Sequence, residues 1–216
     1  MLKLLNRFLG VSEENQMYRH FFKRFIECFL SLLGLIVCCI PMIIIAIAIK
    51  IDSKGPVLFK QERLGKHERH FIVYKFRTMV DHAYEMGGLA TKSDDPRITK
   101  VGAFLRRTSL DELPQMVNIL KGDMAIIGPR PILPWEFDGY RENSYYRKRH
   151  DVLPGLFCSV DIDLRASADR DTQFQMDAEY ADHVSFVIDF KLFFGVLKTV
   201  ITGKNVYREE IGHKEK

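Results

Sequence analysis

The segment that most restricts this chain is residues 28–49, CFLSLLGLIVCCIPMIIIAIAI, 22 positions without a charge. About 20 consecutive apolar residues cross the hydrocarbon core of a bilayer as a helix, so length alone reads as a membrane helix. A cleaved signal peptide fits less well. Its apolar stretch runs about 7–15 residues and ends at small side chains, whereas this one runs into Lys50. Pro41 lies inside the run; it removes one helix hydrogen bond and clashes with the preceding turn, which in lipid predicts a bend. Basic residues stand on both flanks: Arg19, Lys23 and Arg24 before it, Lys50, Lys54, Lys60 and Arg63 after it. A spanning helix carries its Lys/Arg excess on one side. Symmetric flanks suit a helix that enters and leaves through one anionic surface, at about 1 kcal/mol per basic residue near it. The run is therefore read as re-entrant rather than spanning, with Pro41 at the break.

The 216 residues leave room for that helix and one ordinary domain. With 47% hydrophobic and 28% charged residues the chain is not disordered. A net charge of +4 is too small to argue for nucleic acid, and no nucleic-acid motif occurs, but it suits phosphates or an anionic membrane face. Cys28, Cys38 and Cys39 share the apolar run and Cys158 stands alone. No disulfide framework follows, and a reducing compartment does.

Four segments are expected. Residues 1–24 form a basic amphipathic lead-in lying on the membrane surface, with a partner-facing soluble helix as the other reading. Residues 25–51 form the membrane helix, 52–207 a catalytic domain and 208–216 a solvated tail. Within the domain, VLFKQERLG and HFIVYKFRTM read as two strands joined at residues 66–69. Residues 81–97 read as a loop or short helix, and residues 101–107 and 135–149 as helices. Residues 185–201 are apolar apart from Asp189, Lys191 and Lys198, which fits a core helix and a membrane-skimming helix equally. The fold class is α+β, mostly helical, with amphipathic surface helices and a small strand element.

Several familiar sites are missing: the phosphate-binding GxxxxGK[ST], GxGxxG, a GxSxG elbow, zinc-type cysteine pairs and HExxH, for which His67-Glu-Arg-His70 has the wrong spacing. Residues 106–115, RRTSLDELPQ, stand out. Two adjacent carboxylates, Asp111 and Glu112, lie between a basic pair and a proline. One reading is a capping box, Ser109-x-x-Glu112, at a helix start; another puts Leu113 at the cap and Pro114 at the first helical position. Either places Asp111 at a helix N-terminus, where the dipole favours its ionised form. An ionised carboxylate is also what a nucleophile must be. Around this pair the sequence offers Lys75, Arg77, Arg97, Arg106, Arg107, Arg130, Arg147, Lys148 and Arg149, in or beside turns. Arginine forks grip phosphate oxygens in pairs, and lysine binds them as a point charge. With two carboxylates able to hold a hard cation such as Mg²⁺, these groups suggest phosphoryl chemistry at a membrane surface.

The motifs at residues 59–65 (FKQERLG), 74–79 (YKFRTM), 95–99 (DPRIT), 109–115 (SLDELPQ), 121–124 (KGDM), 128–131 (GPRP) and 149–155 (RHDVLPG) occur in this order. In that order they resemble the bacterial sugar transferases, the small monotopic polyprenyl-phosphate phosphoglycosyl transferases. The likeness runs from about Arg19 to Tyr207. It implies a re-entrant helix broken at a proline, here Pro41, in the bacterial inner (cytoplasmic) membrane, with the catalytic domain on the cytoplasmic face. It implies transfer of a sugar-1-phosphate from a UDP-sugar to a polyprenyl phosphate such as undecaprenyl phosphate, releasing UMP, as a first membrane step of glycan assembly. Asp111 would be the nucleophile that carries the phosphosugar, and Glu112 the Mg²⁺ ligand. Lys75, Arg106 and Arg130 match positions implicated in phosphate or active-site contacts, and Asp177 and Asp189 match acidic positions of the C-terminal motif. Arg77, Arg149 and Arg165 complete the expected phosphate-binding set, and a homodimer stays open.

One stretch departs from the pattern. Where the resemblance leads one to expect Pro-Gly-Ile-Thr-Gly, then a Gln, an Asn and a Gly-Arg pair, residues 154–165 read PGLFCSVDIDLR. Phe157 and Cys158 replace Thr-Gly, Asp161 and Asp163 replace amides, and Leu164 replaces the glycine before Arg165. The loop between Leu156 and Leu164 therefore bears on nucleotide or sugar selection and leaves the Asp-Glu pair untouched.

Overall fold

A computed structural model describes residues 16–87, 95–163 and 168–202. Most of the expected lead-in, Arg165 and the tail lie outside them. A turn of π-helix, Tyr18–Phe22, leads into α1, Lys23–Asp52, which ends where Ser53 turns extended. The helical range runs through Pro41, so the expected break does not part it in two. A proline removes a single hydrogen bond, and the turns on either side keep theirs.

The faces of α1 are inverted. Lys23, Glu27 and Ser31, spaced four apart, are buried against the rest of the protein, while Phe25, Phe29, Ile36, Val37 and Ile40 face outwards. The Lys23 ammonium donates to Glu27 (2.8 Å), to the Ile127 carbonyl (3.0 Å) and to Asp189 (2.5 Å), and the Glu27 carboxylate accepts from the Ile126 and Ile127 amides. Farther along, Gly34 abuts Met116. Ile49 packs in a cluster with Phe76 and Leu105, and the Asp52 carboxylate accepts from Val101 N at 2.9 Å. Such a helix is stable where its outer face meets lipid.

The strands follow the sequence closely. β1 (Leu58–Leu64) and β2 (His70–Phe76) pair antiparallel from Leu58↔Phe76 to Leu64↔His70. Val73 and Phe76 are buried on opposite faces of β2, and Lys75, two residues from Val73, is partly exposed. α2 (Lys100–Thr108) starts at Thr99, whose hydroxyl accepts from Gly102 N. A Cβ on Gly102 would stand 2.0 Å from the Thr78 carbonyl, so only glycine lets α2 lie on that segment. α3 (Gln115–Lys121) follows.

The remaining elements were less apparent. β3 (Ala125–Ile127) pairs parallel with β4 (Gly155–Phe157), and a Cβ on Gly155 would meet Gly128 N at 2.1 Å. The helix expected at 135–149 is instead a 3-10 segment, Pro134–Tyr140, a short α turn, Ser144–Arg147, and a further 3-10 turn, Lys148–Asp151. Asn143 interrupts it: its side chain caps a fresh start by accepting from Tyr145 N and Tyr146 N. α4 (Arg170–Asp182) and α5 (Phe186–Thr202) close the fold. Phe174 of α4 packs with Leu64, Ile132 and Phe137, and Ile188, Leu192 and Phe193 of α5 line a cluster around Ile127 and Tyr180.

Candidate active site

α2 ends at Ser109, which takes a left-handed conformation (φ 58°). The chain reverses into a single 3-10 turn, Leu110–Glu112, and Pro114 then starts α3. The capping box does not form: Ser109 terminates the preceding helix, and no side-chain hydrogen bond caps the turn. Leu110 and Leu113, three apart, pack into the cluster of Ile49, Phe76 and Leu105. Their burial turns the intervening Asp111 and Glu112 towards β2 and the end of α2. The Lys75 ammonium donates to Glu112 Oε1 at 2.7 Å, and Arg106 Nε donates to Thr78 Oγ1 at 2.9 Å.

Asp111 is half-buried, and its carboxyl is raised to about 6. Burial is the main cause and the Glu112 charge the next, with Lys75 and Arg106 pulling the other way. The expected stabilisation of the charged form by a helix dipole does not prevail, because Asp111 sits in one isolated turn. The pair thus stores carboxylate repulsion next to two cations.

Arg130 lies on the turn after β3. Its Nη1 meets Asp161 Oδ1 at 2.8 Å, and its side chain is 44% exposed. Burial of the neighbouring Arg63 holds that guanidinium down at about 10. Its Nη1 donates to the Pro131 carbonyl at 3.1 Å. Glu112 acts electrostatically on both arginines. Arg63 entered the sequence reading as a flank of the membrane run and within the motif at residues 59–65, and Asp161 as a departure in a loop; neither carries a local signal of its partner.

Four expected phosphate ligands stand elsewhere. Arg77 is buried, with both terminal nitrogens donating to the carbonyls of Ser53 and Lys54 at the end of α1. Arg149 and Asp177 form a wholly buried pair at 2.8 Å behind the Arg130 turn. Asp189 is buried with Lys23, Tyr18 and Tyr180. Each is bonded to other groups of the protein, although Arg77 Nε has no hydrogen-bond partner among the described residues, so these residues hold elements in place. The structure brings Asp111, Glu112, Lys75 and Arg106 together, with Arg130 within reach of their field.

The sequence model described as bacterial sugar transferase matches residues 18–203, from the approach to α1 to the end of α5. The chain belongs to the bacterial sugar transferases. Among bacterial sugar transferases of similar length, it is 39% identical over 190 residues to an exopolysaccharide production protein of Rhizobium leguminosarum bv. phaseoli, covering 83% of this chain and 95% of that one. It is 37% identical over 175 residues to an uncharacterized sugar transferase of Bacillus subtilis, covering 79% and 84%. A longer relative is the UDP-glucose:undecaprenyl-phosphate glucose-1-phosphate transferase of Escherichia coli, 39% identical over 171 residues. That alignment covers 76% of this chain and 36% of the relative.

Proposed function

We propose that this bacterial sugar transferase is a phosphoglycosyl transferase, moving a sugar-1-phosphate from a UDP-sugar to undecaprenyl phosphate or a similar polyprenyl phosphate. The observation that carries the reading is the half-buried Asp111 carboxylate, raised to about 6 beside Glu112 and flanked by Lys75 and Arg106. At neutral pH that carboxylate is mostly ionised and poorly solvated, as a nucleophile should be. An Asp111 oxygen attacks the phosphorus that bears the sugar. The bond from that phosphorus to the oxygen bridging the two phosphates breaks, and UMP leaves with the electron pair. A polyprenyl phosphate oxygen then attacks the same phosphorus, the Asp111 O–P bond breaks, and a polyprenyl diphosphate sugar is released. Two displacements at one site spare the enzyme from holding two bulky anions together. Lys75, Arg106 and Arg130 offset the charge of both transition states.

The donor set suits Mg²⁺. Among the described residues no group of three or more His, Cys, Asp and Glu side chains stands together. Mg²⁺ characteristically keeps several waters and uses one or two carboxylates plus substrate phosphates. Glu112, with Asp111, would hold it, and when bound it supplies positive charge against the diphosphate.

We also read α1 as re-entrant, with the domain on the cytoplasmic face of the inner membrane. Support comes from its two ends. Lys23 and Arg24 are hydrogen-bonded to Ile127, Met124 and Ile119, while Asp52, Ser53 and Lys54 are bonded to Val101 and Arg77 of the same body. A crossing would send those ends to opposite sides of about 30 Å of hydrocarbon.

The test is a panel of UDP-sugars with undecaprenyl phosphate and Mg²⁺, with UMP scored against UDP. At least one sugar releases UMP, and Asp111→Asn lowers that release at least about a thousandfold while leaving the melting curve in place. Release of UDP instead, or full turnover by Asp111→Asn, would sink the reading.

A further inference from the structure

We propose that Asp161 is the positioning residue for Arg130, holding its guanidinium ready for the diphosphate of the nucleotide-sugar donor; this rests on the donor class proposed above. Two Arg–Asp pairs meet on the turn after β3, and they differ in kind. Arg149 and Asp177 are 2% and 0% exposed. They fix the backbone: Arg149 Nη2 donates to the Arg130 carbonyl at 2.6 Å, and Arg130 N donates to Asp177 Oδ1 at 3.4 Å. Asp161 instead takes the side chain. One of its oxygens accepts from Arg130 Nη1 at 2.8 Å, the other from Cys158 N at 3.0 Å. Its carboxylate is therefore anchored and buried, yet the arginine it grips is 44% exposed.

A pair open to water on one side adds little to stability, so the fold gains little from fixing Arg130 twice. Binding gains more. An arginine held by one donor keeps four others for a ligand, and its rotamer freedom is already spent before the anion arrives. Arg63 stands on the adjoining strand and is held by the Pro131 carbonyl of the same turn. Burial is the main cause that lowers Arg63, and the Arg130 charge adds to it, a repulsion that a dianion relieves.

The experiment titrates the full-length protein in lipid nanodiscs with UDP, and with uridine as a probe lacking phosphate. Asp161→Ala weakens UDP about tenfold, the loss of a charge-assisted hydrogen bond, and leaves uridine unchanged. Asp161→Asn keeps an acceptor and stays within about threefold, whereas Asp161→Glu, which displaces the carboxylate by a methylene, weakens UDP severalfold. Arg130→Ala combined with Asp161→Ala binds UDP no more weakly than Arg130→Ala alone. Wild-type UDP affinity in both the Ala and Glu variants overturns the assignment, as do additive losses in the double variant or an equal loss for uridine. If Asp161→Ala fails to fold, the Glu variant and its combination with Arg130→Ala carry the same decision. UDP binding needs no phosphoryl transfer, so a protein that binds UDP but releases no UMP from any sugar sinks the reaction and not this pairing.

Discussion

Asp111 owes its charge state to burial and to three charged neighbours above all, and each neighbour can be removed separately. Burial and Glu112 raise its carboxyl to about 6, and Lys75 and Arg106 lower it. Removing a group that lowers it must raise it further, and removing Glu112 must bring it down. In protein freed of divalent cations, carbodiimide, which reacts with protonated carboxyls, should modify Asp111 with a midpoint near pH 6. The midpoint moves up in Lys75→Met and down in Glu112→Gln, read by peptide mass spectrometry. Identical midpoints in all three proteins would break the link between site geometry and charge. At this scale the sequence was informative for residues whose role depends on immediate neighbours, as with the Asp111–Glu112 pair on its turn. It did not show that Arg77, Arg149, Asp177 and Asp189 are buried apart from that pair. Arg77 and Arg149 lie beside turns and Asp177 and Asp189 within helices, and nothing local tells whether such a side chain points to solvent or into a buried carbonyl or ion pair.

Among the elements, legibility followed composition and local pattern. The β1–β2 hairpin was readable because two runs bearing β-branched and aromatic residues flank a polar link, although Val73 and Phe76 are buried on opposite faces and follow no strict alternation. α4 had no apolar stripe to read, since its buried face includes Gln173 and Asp177. The β3–β4 pair depends on a close backbone approach of Gly128 and Gly155 rather than on a pattern. For α5 the pattern alone left core and membrane surface equal, and the structure gives the helix one buried and one exposed apolar face. Val196 is buried, while Phe186, Phe190 and Phe194 are each more than half exposed and follow one another along one face. Their rings stack at 6.0 and 4.6 Å, and Phe186 meets Tyr18 edge-on at 5.8 Å, which joins this stripe to the approach to α1. Lys191 and Lys198 are exposed on the same helix. Aromatic side chains with basic neighbours favour the lipid–water boundary. Phe190→Trp in a Trp135→Phe background should therefore show blue-shifted emission that brominated lipids quench. Water-like emission without quenching would return α5 to the aqueous side.

For the whole molecule, the decisive relation is between the helix with an apolar outside and the charged body to which it is tied. α1 has 30 residues, about 45 Å of helix at 1.5 Å per residue, enough to cross a bilayer. Yet the body meets it at Lys23, near its middle at Gly34, and again from Ile49 to Asp52. If α1 crossed, that body would have to pass through hydrocarbon beside it, carrying such groups as the Lys75–Glu112 and Arg97–Asp95 pairs. The desolvation of even a few such ions outweighs what burying one apolar helix returns. The re-entrant placement proposed above avoids this by keeping the body on one side while α1 dips in and returns, the inverted polarity of its faces then meeting lipid outside and protein inside. The same placement brings the acid pair within reach of a lipid phosphate that never leaves its leaflet. Reporter cysteines at Met17 and Lys54, both exposed and on opposite flanks of α1, can decide it in a background lacking the native cysteines. A membrane-impermeant maleimide should label neither in intact spheroplasts and both in inverted vesicles. Labelling of one flank from each side would mean that α1 crosses after all, and that its contacts with the body at one end are not kept in the membrane.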